Sequence, residues 1–162
     1  MDTHSLLAVS PIDGRYASKA EALRPYFSEY ALIRYRIRVE IEYFIALCEI
    51  PLPQLADIDK DKFPQMRLIY KELTPEQAME VKEIESVTNH DVKAVEYFIK
   101  RRFKEMGLEK WSEFVHFGLT SQDINNTSQP LMLKEALEEV YIPALRKVLG
   151  TITEMAETWN DV

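Results

Sequence analysis

Four glycines in 162 residues leave this sequence few places to turn tightly. Strands joined by short hairpins draw heavily on glycine, so the scarcity favours helices. A single cysteine, Cys48, excludes an internal disulfide and any cysteine-based metal cluster, and suits the reducing cytosol. It falls in an apolar pattern at helical spacing, where a thiol is expected to be buried and structural. There are three histidines, His4, His90 and His116, with no H-x-x-x-H pair, so no metal site is expected. No G-x-S-x-G elbow and no glycine-rich phosphate loop occurs, and no cofactor is expected. There is neither a cationic start with an apolar core nor an apolar run of membrane-spanning length. Positive charge is in the minority: 20 Lys+Arg against 27 Asp+Glu gives a net charge of −7. That balance argues against nucleic acid and membrane surfaces as partners. It leaves open a small anion held by a few local donors.

What is present is an ordinary globular balance, 46% hydrophobic and 29% charged, long enough for one domain or one domain plus a piece of another. Residues 1–26 read as an irregular arm. Within it, Ser10-Pro11-Ile12-Asp13-Gly14-Arg15-Tyr16 carries two turn signals and leaves a guanidinium beside a phenol. Arg15 and Tyr16 are either an ordinary surface turn or an anion-binding pair. Residues 27–50 predict a long helix despite the strict alternation from Ile33 to Ile41. Ile33, Ile37, Ile41, Ile45 and Cys48 also fall at helical spacing, and the pattern is too long for a typical strand. Pro51 and Pro53 end it. A short helix follows over 65–73. Thr74-Pro75-Glu76-Gln77 is a helix start with a capping box, and that helix runs to about Val87. Thr88-Asn89-His90-Asp91 interrupts the pattern before another helix, which Gly107 stops.

A short helix is expected over 108–117, ahead of the polar stretch on which the chain turns: His116-Phe117-Gly118-Leu119-Thr120-Ser121-Gln122-Asp123-Ile124-Asn125-Asn126. Thr120 and Asp123 have capping-box spacing, and Ser121 adds a second hydroxyl beside the free N–H groups of a first helical turn. Thr120 is either a plain cap or part of an anion site. His116 is either a part-buried histidine satisfied by backbone or a ligand-facing one. From Ser121 the pattern stays helical to about Trp159, with Pro130 and Pro143 expected to bend or split it. Unbroken, such a run would measure roughly 58 Å at 1.5 Å per residue, the first member of a helix bundle without its partners. The fold class is therefore all-α. Three polar clusters at helix breaks, Arg15-Tyr16, Asn89-His90-Asp91 and Thr120-Ser121, point to a half-site for a small polar anion and to no particular reaction.

Those same stretches, with Thr88-Asn89-His90-Asp91-Val92-Lys93-Ala94-Val95-Glu96-Tyr97, closely resemble the bacterial branch of the adenylosuccinate lyase family, in the fumarase/aspartase superfamily. The likeness covers nearly the whole chain in the family's order and spacing. It implies a small N-terminal helical domain over 1–110, carrying a substrate-binding arm, and the start of a long-helix bundle over 111–162. It also implies a cytoplasmic homotetramer that eliminates fumarate from adenylosuccinate and from the succinylated carboxamide ribotide of purine synthesis. Carried over position by position, Arg15 and Tyr16 resemble nucleotide contacts near the phosphate, and Asn89, His90 and Asp91 a nucleotide-facing loop. His116 resembles a histidine shaping the phosphate end, and Thr120 and Ser121 donors to a succinyl carboxylate. The family's acid histidine, in a Thr-His-Gly-Gln segment, and its catalytic serine are not in this sequence. No catalytic residue is therefore expected here, and the chain reads as an N-terminal fragment without activity of its own. Two other readings stand beside this one: a non-catalytic helical interaction module, and a related lyase acting on another succinylated substrate.

Overall fold

The computed structural model describes residues 6–161. Among them every regular element is a helix and no strand occurs, as the low glycine content and the helical spacing predict. The helices are α1 (Arg24–Phe27), α2 (Glu29–Glu49), α3 (Phe63–Lys71), α4 (Pro75–Thr88), α5 (Asp91–Glu105), α6 (Ser121–Ala136) and α7 (Ile142–Thr158), with short 3-10 turns between several of them. The chain divides into two compact units. One spans Glu29–Leu131, and the other joins the segment ending at Ser28 to the segment beginning at Met132.

The first unit is built around α2. Its alternating stretch, which taken alone has strand periodicity, is helical throughout. The physical reason is that α2 is enclosed on more than one side, by α3, α4 and α5. Ile33, Ile37, Ile41, Phe44, Ile45 and Cys48 are buried, and so are Ala31, Tyr35, Arg36, Glu40 and Leu47. A helix walled in this way needs apolar residues beyond one stripe, and the extra positions mimic a period of two. Phe44 and Phe103, both fully buried, meet edge to face with ring centroids 4.9 Å apart. Burial pushes the Cys48 thiol up to about 11, so it is a packing group with little thiolate.

Local chemistry sets the ends of the helices. Thr74 and Gln77 form the full capping box: Thr74 Oγ1 accepts the Gln77 N–H at 3.3 Å, and Gln77 Oε1 accepts the Thr74 N–H at 3.0 Å. α4 ends where Asn89 adopts left-handed backbone (φ 52°), and α5 where Gly107 does (φ 72°). The short helix read over 108–117 is a 3-10 turn, Glu109–Phe114.

In the second unit, Asp13 Oδ1 accepts both the Ser10 N–H (2.9 Å) and the Ser10 hydroxyl (2.6 Å), closing the turn that precedes Arg15. Tyr26 is buried and donates its phenol to Glu139 Oε2 at 2.6 Å. The two prolines behave differently from each other. Helix α6 runs through Pro130 without a break in its assignment. Ahead of Pro143 the helix widens into a π turn, Leu137–Tyr141, in which the Ile142 N–H reaches five residues back to the Leu137 carbonyl. Pro143 has no N–H to offer the carbonyl four residues before it, and the wider turn re-registers the backbone at that place. No residue of α7 is buried: Leu145, Val148, Leu149, Ile152 and Met155 are between 42% and 63% exposed. No helix among the described residues is long and apolar enough to cross a membrane.

Candidate functional site

Two charged residues one turn apart on α2 are buried, Arg36 (5% exposed) and Glu40 (0%). They share a helix face. Arg36 Nη2 donates to Asp91 Oδ2 at 2.7 Å, and its Nε donates to Asn125 Oδ1 at 3.0 Å. Glu40 Oε1 lies 2.5 Å from His116 Nδ1. Tyr43, nearly one further turn along, donates its hydroxyl to the Phe117 carbonyl at 2.9 Å. One side of α2 thus ties together the break at 89–91, the loop at 116–118 and the first turns of α6. Sequence reasoning missed Arg36 and Glu40. In one dimension they look like Arg34, Arg38 and Glu42 in the same alternation. Their one distinguishing signal is that they are four residues apart and of opposite sign beside the isoleucine stripe.

His90 is held by the break itself. After the left-handed Asn89 its backbone is extended (φ −150°), and it caps α5 with its side chain, Nδ1 accepting the Lys93 N–H at 3.1 Å. A neutral imidazole that accepts at Nδ1 carries its proton at Nε2. Nε2 lies 3.3 Å from Ser121 Oγ. The ring therefore donates, the serine oxygen accepts, and the serine's own proton stays available to a third group. Asp91 Oδ1 accepts the Val92 N–H at 2.8 Å. Burial pushes the Asp91 carboxyl up, but the Val92 N–H and the Arg36 guanidinium outweigh it and hold it below the usual carboxylate range.

At the start of α6 half of the expected capping box forms. Asp123 Oδ2 accepts the Thr120 N–H at 2.7 Å. The Thr120 hydroxyl does not take the Asp123 N–H, which goes to the Thr120 carbonyl at 3.1 Å; it donates to the same carboxylate oxygen at 2.8 Å. The two donors from Thr120 lower the Asp123 carboxyl. Gln122 Nε2 donates to Asn126 Oδ1 at 2.7 Å, so part of the crowd of amides satisfies itself on the exposed side. His116 has left-handed backbone (φ 62°), as does Gly118 (φ 73°). Burial raises the Glu40 carboxyl against the lowering influence of His116, and its Oε2 has no hydrogen-bond partner among the described residues.

The structure therefore brings His90 and Ser121 into contact, seats Asp91 beside them through Arg36, and places Thr120 on Asp123 and His116 on Glu40. Asn89 supplies the backbone reversal. Arg15 and Tyr16 belong to the other unit, where the guanidinium lies 5.2 Å from the centre of the Tyr16 ring and Tyr16 is half exposed. A separate open cleft of about 370 Å³, lined among others by Val39, Tyr43, Leu119, Ile124 and Leu131, contains neither His90 nor Ser121. The Ser121 hydroxyl and the N–H groups of the first turn of α6 form a donor set suited to a carboxylate or phosphate.

A family model described as lyase matches residues 14–162. The chain belongs to the lyase family. It is 47% identical over 164 residues to the adenylosuccinate lyase of Dictyostelium discoideum, a match that covers 98% of this chain and 35% of that protein. Against the adenylosuccinate lyase of Vibrio cholerae it is 45% identical over 166 residues, covering 100% of this chain and 36% of the relative. Against that of Escherichia coli K12 it is 42% identical over 164 residues, with the same coverages. The chain thus spans about a third of the length of the curated lyases it matches. All eight residues that the family resemblance marks as a substrate site lie within the span matched to the lyase family.

Proposed function

We propose that the protein carrying this chain is an adenylosuccinate lyase, which eliminates fumarate from adenylosuccinate and from succinylaminoimidazole carboxamide ribotide. In this reading it works in the cytoplasm as a homotetramer. Residues 1–110 form its N-terminal domain and 111–162 begin its helix bundle. Ser121 is a donor to a carboxylate of the succinyl group, held by His90. Thr120 joins Ser121 as a donor to that carboxylate. Arg15 and Tyr16 are nucleotide contacts near the phosphate, Asn89, His90 and Asp91 form a nucleotide-facing loop, and His116 shapes the phosphate end. The observation that carries the reading is the 3.3 Å contact of Ser121 with His90 across 31 residues, at the head of a helix and within the lyase match.

The contact makes chemical sense for such an elimination. Taking a proton from the carbon next to a carboxylate spreads negative charge onto that carboxylate, and donors already in place stabilise it without reorganising. His90 Nε2–H fixes the serine oxygen, so the serine proton is left to point at the charge. The Thr120 hydroxyl donates to Asp123 in this structure, so acting as the second donor means turning it from Asp123 to the succinyl carboxylate. The unburied apolar side of α7 supports the bundle reading, since such a face in an intact protein needs a cover.

The test is fumarate release by the intact protein. Ser121→Ala is expected to lower kcat, by about 2–4 kcal/mol in barrier if it behaves as an oxyanion-type donor. Arg15→Ala is expected mainly to raise KM, because phosphate binding is felt equally in ground and transition states. If both variants stay within about twofold of the parent in kcat and KM, well below what the loss of one donor predicts, the site assignment is wrong.

A further inference from the structure

Glu40 is the buried charge that the fold needs least. Its side chain is fully enclosed, one oxygen faces His116 Nδ1 at 2.5 Å, and the other meets no donor among the described residues. The remaining charges around it are otherwise engaged. Arg36, on the same helix, is turned to Asp91 and Asn125. Glu96, on α5, is buried and bridged by Lys93 at 2.7 Å and Lys100 at 3.2 Å, and its charge adds to burial in raising the Glu40 carboxyl. Asp123, on α6, carries a charge that senses His116 but is itself held by Thr120. A buried acid with an orphaned oxygen destabilises a fold, and an apolar pair of the same shape would serve packing better. His116 adds backbone strain at the same contact, in the left-handed region that residues with a side chain avoid. Two unfavourable features at one contact call for a purpose other than stability.

The contact controls one proton. An imidazole tied at Nδ1 to a carboxyl group has Nε2 as its remaining polar edge, and 17% of the His116 side chain is exposed. If the pair holds one proton beyond the neutral ring and carboxylate, it is either carboxylate with imidazolium or carboxyl with neutral ring. In both forms Nε2 bears hydrogen and donates. In the proton-poor form the neutral ring gives its only hydrogen to Glu40 and Nε2 is bare. We propose that Glu40 is a positioning residue that holds a shared proton with His116, so that His116 Nε2–H stands ready as a donor to the phosphate end of an anionic nucleotide. This rests on the reading of the site given under Proposed function, and adds to it the residue that sets the histidine's protonation.

The experiment is a pair of substitutions in the intact protein, Glu40→Leu and Glu40→Gln, each alone and combined with His116→Ala. KM and kcat are measured from about pH 6 to about pH 8, a range that brackets free histidine, and the unfolding midpoint is measured alongside. Glu40→Leu is expected to raise KM about tenfold at the alkaline end, the loss of one charge-assisted hydrogen bond. The rise shrinks toward the acid end, where an unassisted imidazole protonates by itself. Meanwhile kcat changes little and the unfolding midpoint holds or rises. Once His116 is alanine, losing Glu40 adds nothing. Should Glu40→Leu fail to fold, Glu40→Gln carries the same comparison with a smaller rise. An active parent whose KM ignores both Glu40 substitutions at every pH overturns the proposal, as does a KM effect that is additive with His116→Ala. A parent without lyase turnover sinks the lyase reading alone, and the pair is then judged on AMP affinity by calorimetry in the same variants. A parent that also fails to bind AMP overturns both.

Discussion

The stretches on either side of Leu131 treat their apolar side chains in opposite ways. In the unit of residues 29–131, α2 is enclosed on several sides, and two of its charges, Arg36 and Glu40, are buried with it. In α7, beyond the π turn, the leucines, valine and isoleucine of a similar apolar stripe are all open. Both follow from the same rule of helical spacing. What differs is whether this chain supplies the opposing surface. An apolar stripe in a sequence therefore states a need for burial and says nothing about who meets it.

The sharpest way to break the comparison is to truncate one large side chain in each region. Phe44→Ala is expected to lower the unfolding free energy of the chain by about 3–5 kcal/mol, because Phe44 is fully buried against Phe103. Leu149→Ala, on a residue 63% exposed, is expected to stay within about 0.5 kcal/mol. Denaturant midpoints on the two variants decide it, and similar losses at both positions would dissolve the distinction.

A smaller effect separates the buried charges from the buried rings. Arg36→Met strips Asp91 and Asn125 of their shared donor and is expected to cost about 1–3 kcal/mol near neutral pH. Its signature is in acid. Asp91 is held below its ordinary value, so its contribution is present above the unfolded carboxylate range and is lost as pH falls through the lowered one. Removing Arg36 should flatten that part of the acid limb. Glu40 acts with the opposite sign. Its carboxyl is raised, so the folded state holds that proton more tightly than the unfolded chain, and stability falls as pH rises from the unfolded value toward the raised one. Unfolding free energies of Arg36→Met and Glu40→Leu between about pH 2 and 7, the span of lowered, ordinary and raised carboxyls, should diverge from the parent in opposite directions.

The smallest expected loss is at a helix end. Thr74→Ala removes one half of a capping box whose two bonds are both formed, and should cost about 1 kcal/mol by thermal unfolding. The same substitution at Thr120 should cost less, since the Thr120 hydroxyl donates to Asp123 and caps no N–H.

Most helix ends were legible because their chemistry is local. Thr74-Pro75, Gly107 and the Pro51–Pro53 pair each act within a few residues, and the boundaries fall within two or three positions of expectation. The break at Asn89-His90 was legible for the same reason. Arg36 and Glu40 were not, because what sets them apart from Arg34 and Arg38 is their place in three dimensions. The part-reversed box at Thr120 was also hidden: spacing names two residues that can bond and does not say which of them donates. Pro130 and Pro143 look alike in sequence, yet only the second is preceded by a widened turn. That choice depends on how neighbouring carbonyls can be satisfied, which spacing alone does not contain.

The pairs made by α2 also have a bearing on time. Helices α4 and α5 are neighbours along the chain and pack on each other, whereas Arg36 reaches 55 residues to Asp91 and 89 to Asn125, and Glu40 reaches 76 to His116. Closing loops of that length exacts chain entropy before any bond rewards it. The hydrophobic framework is expected to be in place at the rate-limiting step, and the ionic joints to lock afterwards. In kinetic terms, Arg36→Met should speed unfolding and leave the refolding rate nearly unchanged, whereas truncations in the α4–α5 contact should slow refolding. The polar centre would then be the last part of the unit to assemble and the first to loosen.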